Sequence, residues 1–261
     1  MVKLSCWLVV FIGLIKTVDT NTMVISITSS KKTEVWSNLG KKPMSKYRRH
    51  AYSLLNLGDN DVILDIGCAD GYFGNCISSG KRWVVGIDMR KNALLEAKTK
   101  ELDVVLASAT FLPFKECSFD KISMLEVFEH LKIGENSQVM KEIYQSLRKT
   151  GTFVMSVPNR GLFFQYIFLD PAYWIQTHRH FTTSEIYEIL TSAGFSVKNL
   201  YVSGGLIFIL IYYSIYWRIK RYGLLKMGLI SKLLSFLDLV ADLEFNQQKL
   251  GCSVIAKARK P

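Results

Sequence analysis

The run Val62-Ile63-Leu64-Asp65-Ile66-Gly67-Cys68-Ala69-Asp70-Gly71 holds the residues of this chain best placed to do chemistry. Apolar residues lead into Asp65, and Gly67 and Gly71 follow. That order reads as a buried strand ending at a tight turn, with a helix starting near Gly71. Such a turn brings backbone N–H groups and a helix N-terminus to the mouth of a parallel sheet, where a nucleoside can bind. Asp88 closes the next apolar run, Trp83-Val84-Val85-Gly86-Ile87-Asp88. A carboxylate there can accept hydrogen bonds from both ribose hydroxyls. Dehydrogenases share that logic, so the glycines must choose the cofactor. A pyrophosphate asks for G-x-G-x-x-G. Here the pattern is Asp65-x-Gly67-x-Ala69-x-Gly71, and an acid ahead of the turn suits a cofactor with a cationic end. Plainer readings stand beside these. Gly67 and Gly71 turn strands in α/β proteins of any function, and Asp88 can cap the following helix. Cys68 reads as small filler, and Asp70 as a first-turn acid favoured by the helix dipole.

From Asp61 onward, short apolar strands alternate with amphipathic helices, the pattern of parallel βαβ units. Strands are expected at 62–66, 83–88, 103–107, 120–125, 151–157, 195–202 and 251–258. Helices are expected near 71–79, 91–99, 135–148 and 183–193, with an earlier one from about Pro43 through Tyr47 to Leu55. Lys91 or Asn92 should open the helix at 91–99, and Asn136 should cap the one at 135–148. Gly151 and Gly194 are expected to close helices as C′ glycines.

The chain has 261 residues, 49 % of them hydrophobic, and a net charge of +11. That charge is uneven: +7 over 1–50, −2 over 51–200 and +6 over 201–261. Basic ends can serve nucleic acid or an anionic membrane surface. Near the C-terminal end the charges flank apolar runs, which favours the membrane. No RNA-binding aromatic signature or zinc-finger spacing occurs, so no nucleic-acid partner is expected. The five cysteines include no C-x-x-C, so neither a disulfide framework nor a metal site is expected.

Leu4 to Ile15 is a largely apolar run behind Lys3 with the length of a signal-peptide core, but no small-residue cleavage site follows. A short anchor, an extension upstream of a start at Met23, and a signal peptide all remain open. Residues 24–46 are polar and lysine-rich and read as a linker. Gly204 to Trp217 is nearly all apolar, ends in Tyr212, Tyr213, Tyr216 and Trp217, and is followed by Arg218, Lys220 and Arg221. Leu224 to Leu243 is amphipathic, with Lys232, Ser235, Asp238 and Asp242 on one side. The apolar run is shorter than the ~20 residues of a membrane span. It reads as an interfacial hairpin or helix, or as a lid or dimer interface. The organisation expected is an N-terminal segment and linker at 1–42, a domain at 43–203 and 251–261, and a helical apolar insertion at 204–250.

With these motifs in order, the chain resembles the class I S-adenosylmethionine-dependent methyltransferases. It looks most like the large group that includes quinone-biosynthesis and related small-molecule methyltransferases. The resemblance rests on Asp65–Gly71, Gly86-Ile87-Asp88, the stretch Ala107–Phe114, Ser118–Leu131 with its Glu129-His130, and Gly151 through Pro158-Asn159. Two positions depart from the family pattern: Ala69 stands where glycine is usual, and Ser108 where an acid commonly binds the adenine amino group. The resemblance implies an α/β, Rossmann-like, doubly wound sheet of seven strands, mostly parallel with an antiparallel last strand. It implies S-adenosyl-L-methionine as cofactor, held by Asp65, Gly67, Cys68, Ala69, Gly71, Asp88, Met89, Ser108, Ala109, Leu125 and Glu126. It also places His130 near the cofactor rim and His178 and His180 along the acceptor pocket.

Methyl transfer from a sulfonium is an in-line displacement, so the protein must align the groups and exclude water. A hydroxyl acceptor must also lose a proton, and histidine is the natural group near neutral pH. The catalytic candidates are therefore His130, His180 and His178, while His50 reads as part of a solvated face. For His130 a structural hydrogen bond is the plainer reading. For the 178/180 pair it is helix capping at Thr182 or Thr183. Tyr47 is a candidate cover for the methionine end of the cofactor. The expected function is methylation of a small or lipid-like acceptor, on oxygen or carbon, in the cytoplasm or at the cytoplasmic face of a membrane. A non-catalytic S-adenosylmethionine-binding protein is the alternative, and a nicotinamide oxidoreductase a distant one.

Overall fold

The computed structural model describes residues 25–27, 46–78, 81–100, 102–160, 179–203 and 253–261. The expectations for the N-terminal apolar run, for 204–250 and for His178 fall outside these residues, as does the side chain of Tyr47. In chain order the elements are β1 (Ile25–Ile27), α1 (Lys46–Leu55), β2 (Val62–Ile66), α2 (Tyr72–Ile77), β3 (Trp83–Asp88), α3 (Lys91–Thr99) and β4 (Asp103–Leu106). Then come β5 (Phe119–Leu125), a 3-10 turn (Phe128–His130), α4 (Asn136–Ser146), β6 (Leu147–Pro158), α5 (Thr183–Ser192), β7 (Ser196–Ser203) and β8 (Ser253–Arg259).

The strands form one sheet in the order β1-β4-β3-β2-β5-β6-β8-β7. Strands β4, β3, β2, β5 and β6 run parallel. β8 is antiparallel to both β6 and β7. These are the seven strands and the antiparallel last strand that the sequence led us to expect. The parallel strands start in the middle at β2, work outward through β3 and β4, then cross back to β5. That reversal opens a crevice at the carboxyl ends of β2 and β5, where ligands of such sheets bind.

Buried side chains separate onto the two faces with period two. Ile63, Val84, Val104 and Val154 share one cluster with Leu55, Phe73, Ile77 and Leu94 of α1, α2 and α3. Leu64, Val85, Val105 and Phe153 share the other with Val139, Ile143, Ile186 and Leu190 of α4 and α5. Helices on both faces explain why β2 and β3 are apolar on both sides up to the acids near their carboxyl ends.

The structure differs from the sequence expectation at four places. β1 lies within the stretch read as linker and adds an eighth strand, pairing antiparallel with β4. Asn136 is not a cap but the first residue of α4, behind Glu135 in helical conformation; its Oδ1 accepts a hydrogen bond from Arg179 at 2.7 Å. Gly151 lies inside β6 rather than after a helix. A Cβ there would sit 2.7 Å from Leu147 Cγ and 2.8 Å from the Arg148 carbonyl, so close approach requires the glycine. His50 is half-buried, not solvated, and shares a hydrogen bond with the Tyr201 hydroxyl; burial lowers its pKa. Gly194, by contrast, is a C′ glycine at φ 89. Its N–H donates to the Thr191 carbonyl at 2.9 Å, and the Phe195 N–H to that of Leu190 at 3.0 Å. That pair of bonds is a Schellman closure.

Candidate active site

The crevice is framed by two strand exits that face each other. After β2, the N–H groups of Gly67 and Cys68 donate to the Ile87 carbonyl at 2.8 and 2.9 Å, bending the chain over the end of β3. Gly67, Ala69 and Gly71 take positive φ of 72°, 49° and 73°. A Cβ at Gly67 would lie 2.2 Å from Val127 Cγ2 in the exit from β5, so these two turns touch only because residue 67 is glycine. Ala69 adopts the left-handed conformation with a side chain, at a local cost. Cys68 packs into the notch beside Gly86, and burial pushes its thiol pKa far up. That environment makes it filler rather than a reactive thiol. Asp65 is buried and accepts from Ser123 Oγ at 2.9 Å, tying β2 to β5 below the crevice.

Asp88, at the end of β3, is also buried. Its Oδ2 accepts from the Ala69 N–H at 3.0 Å and its Oδ1 from the Arg90 N–H at 2.8 Å. It therefore both anchors the glycine turn and starts the loop into α3. The Arg90 guanidinium forks onto the same carboxylate, with Nε to Oδ1 at 3.2 Å and Nη2 to Oδ2 at 3.3 Å. Next to Asp88, Met89 is strongly exposed, and Phe111 on the exit from β4 is also exposed. The Ala107 N–H bonds the Asp88 carbonyl at 3.3 Å, so these exits are neighbours. Ser108 is spent on the local turn, its Oγ 2.7 Å from Thr110 Oγ1 and accepting from the Thr110 N–H at 3.2 Å. Ala109 is buried beside it.

The exit from β5 carries Leu125, Glu126, Glu129 and His130. Glu126 sits at φ 56, held there because its N–H donates to Ser156 and its Oε1 accepts from Ser156 Oγ at 2.9 Å. Glu129 is only 2 % exposed. Burial, and then the Glu126 carboxylate, push its pKa up to about 9. His130 Nε2 lies 3.9 Å from Glu129 Oε1, with its own side chain half-exposed. His180 is buried below the exit of β6, and its carbonyl accepts two bonds from the Arg160 guanidinium. Sequence reasoning named Asp65, Gly67, Cys68, Ala69, Gly71, Asp88, Met89, Leu125 and Glu126, and the structure gathers them around this crevice. It missed Arg90 and the burial of Glu129. An arginine two residues after a strand-end acid was the available signal for the first.

The methyltransferase domain family matches residues 64–155, which span β2 through most of β6. Over that domain the chain is similar to the class I S-adenosylmethionine-dependent methyltransferases. A relative in Mycolicibacterium smegmatis, named a probable S-adenosylmethionine-dependent methyltransferase, is 29 % identical over 160 residues, covering 59 % of this chain and 60 % of that protein. The ubiquinone biosynthesis O-methyltransferase of Rickettsia typhi is 29 % identical over 167 residues, covering 56 % of this chain and 66 % of its own length. The chain thus spans less than two thirds of either relative. Among solved structures, the cyclase SpnF superposes with a TM-score of 0.58 at 14 % identity, over 83 % of this chain and 81 % of that one. That neighbour shares the fold alone, and a cyclase on this sheet shows why the residues of the site must carry the functional argument. The residues present fit the family's cofactor. A strand-end carboxylate suits ribose hydroxyls, the exposed Met89 and Phe111 offer apolar contact to a base, and the turn carries no pyrophosphate signature.

Proposed function

We propose that this chain transfers a methyl group from S-adenosylmethionine to a small or lipid-like acceptor, on oxygen or carbon, at the cytoplasmic face of a membrane. The observation that carries the reading is Asp88: a buried carboxylate at the end of β3, tied to the Ala69 N–H of the turn that borders the switch crevice. When bound, S-adenosylmethionine supplies an activated methyl group on a sulfonium. The chain's own part is to hold ribose on Asp88, flank the base with Met89 and Phe111, and close the floor with Gly67 against Val127. His130, half-exposed on the exit from β5, is the residue offered for taking a proton from a hydroxyl acceptor. His180, and His178 beside it in sequence, are offered as acceptor-side groups.

The lipid-like acceptor is supported by where the chain leaves the sheet. Ser203 and Ser253 pair with each other, and Ser253 also pairs with Pro158, at the carboxyl end of β6. The apolar and basic sequence of 204–252 therefore departs from, and returns to, the edge of the sheet that bears the site.

Titration calorimetry should detect S-adenosylmethionine and S-adenosylhomocysteine but not NAD. Asp88→Ala should weaken binding at least ~10-fold, since hydrogen bonds to a charged group contribute about 1.5–3 kcal/mol. Unchanged affinity in that variant would remove the site. Transfer of labelled methyl into a membrane lipid extract, and not into total RNA, is the outcome expected for the acceptor. Label in RNA would replace the lipid reading, and binding without transfer to any extract would favour a non-catalytic role.

A further inference from the structure

The carboxylate of Asp88 has no acceptor direction to spare. An ionised carboxylate offers about four lone-pair sites. Oδ1 takes the Arg90 N–H at 2.8 Å and Arg90 Nε at 3.2 Å; Oδ2 takes the Ala69 N–H at 3.0 Å and Arg90 Nη2 at 3.3 Å. Two of these donors are main-chain groups that build the turn. The other two belong to one guanidinium whose side chain is 69 % exposed, against 8 % for Asp88. Ribose hydroxyls need acceptor directions on this same carboxylate, and only the guanidinium can yield them without dismantling the turn.

We propose that Arg90 is an internal competitor for the ribose site: cofactor hydroxyls bind Asp88 by exchanging with the Arg90 guanidinium, so Arg90 sets the affinity for the nucleoside and its dependence on salt. This rests on the reading of Asp88 as the ribose-binding group. The displaced side chain has somewhere to go. A surface depression of about 590 Å³ lies beside it, lined by Ala69, Asp70, Lys91, Asn92, Ala93 and Glu96 as well as Arg90 itself. Asp70 and Glu96 provide carboxylates there, Asp70 already holding Lys100 Nζ at 2.6 Å. The guanidinium is no part of the helix start either. Arg90 is the N-cap of α3 but makes no side-chain capping bond. The exchange keeps the buried carboxylate partnered at all times, which avoids the cost of a buried charge left without hydrogen bonds.

The test is binding of S-adenosylhomocysteine, whose thioether removes the sulfonium charge from the comparison. Arg90→Met should bind it up to ~5-fold more tightly at low salt, the range of an exposed ion pair. In the wild-type chain affinity should rise between low and high salt, because screening weakens the competitor; in Arg90→Met it should be flat. The gain must disappear when Arg90→Met is placed on Asp88→Asn and compared with Asp88→Asn alone. A purely structural role for Arg90 would lower the unfolding midpoint with no gain in affinity; the competitor requires the tighter binding and the lost salt dependence even where the midpoint falls slightly. If the wild type binds and Arg90→Met binds no more tightly, the competitor is refuted while the cofactor site stands. If the wild type does not bind, both fall.

Discussion

The surroundings of Glu129 offer its charged form too little and push its pKa up. Burial removes water, Glu126 adds a like charge, and Arg179, the nearby cation, directs Nη2 to the Phe128 carbonyl and Asn136 Oδ1 instead. The sign of the linkage follows. A carboxyl whose pKa rises from 4.5 unfolded to about 9 folded binds more protons in the native state across that window. Its stabilising contribution is complete below about pH 4.5 and is lost as pH climbs toward 9, with a slope of at most ~1.4 kcal/mol per pH unit. Glu129→Gln, which mimics the neutral acid, should therefore unfold at higher urea than the wild type at pH 8.5. At about pH 4, below the unfolded pKa, the two should nearly coincide. Equal differences at both pH values would mean that Glu129 is ionised in the native protein. Residues of this kind are hidden in a sequence. Asp88 and Gly67 were legible because strand ends and turns are written in adjacent residues. The state of Glu129 depends on Arg179, fifty positions away, and on how much water the closed exit turn excludes.

Helix α5 shows how an element is fixed by its first turn. Thr182 Oγ1 accepts the Glu185 N–H at 3.2 Å, and Glu185 Oε2 accepts the Thr182 N–H at 2.7 Å. That reciprocal capping box, with the Schellman closure at Gly194, pins both ends of a helix that buries Ile186 and Leu190. Thr182→Ala should lose about 1 kcal/mol of stability by urea denaturation. No measurable loss would mean that burial of those two side chains alone fixes the helix. Capping at Thr182 or Thr183 was readable from residue type, and the reciprocal bonds with Glu185 decide for Thr182. Also readable were β2 and β3, which are apolar except for Asp65 in the first and Gly86 and Asp88 in the second. β1 was not, since three residues carry too little pattern to separate a strand from linker. Gly151 misled because the same residue type closes helices and permits close approach inside strands.

At the scale of the molecule, β7 and β8 meet at their carboxyl-edge ends as directly opposed partners, Ser203 with Ser253. Two strands in that relation can be joined by a short turn. Replacing 204–252 with a two- to four-residue Asn-Gly turn should therefore leave the sheet and nucleoside binding intact. On the membrane reading, the shortened chain should lose partitioning onto anionic liposomes that the full chain shows. Liposome binding that survives the replacement would move the membrane contact elsewhere, and failure to fold would show that these residues are part of the core. Among the described residues no helix is long and apolar enough to cross a membrane.

The position of β8 has a consequence for how the chain is made. It is inserted between β6 and β7, and β7 pairs with no other described strand. About fifty residues separate the end of β7 from the start of β8, so at ~5–20 residues per second β7 emerges from the ribosome several seconds before its partner. During that interval β6 and β7 each present an unpaired edge, the kind of surface on which nascent chains pair wrongly. The completion of this sheet is thus timed by translation of the insertion, and slowing synthesis through 204–252 lengthens the interval in which the domain is open to aggregation.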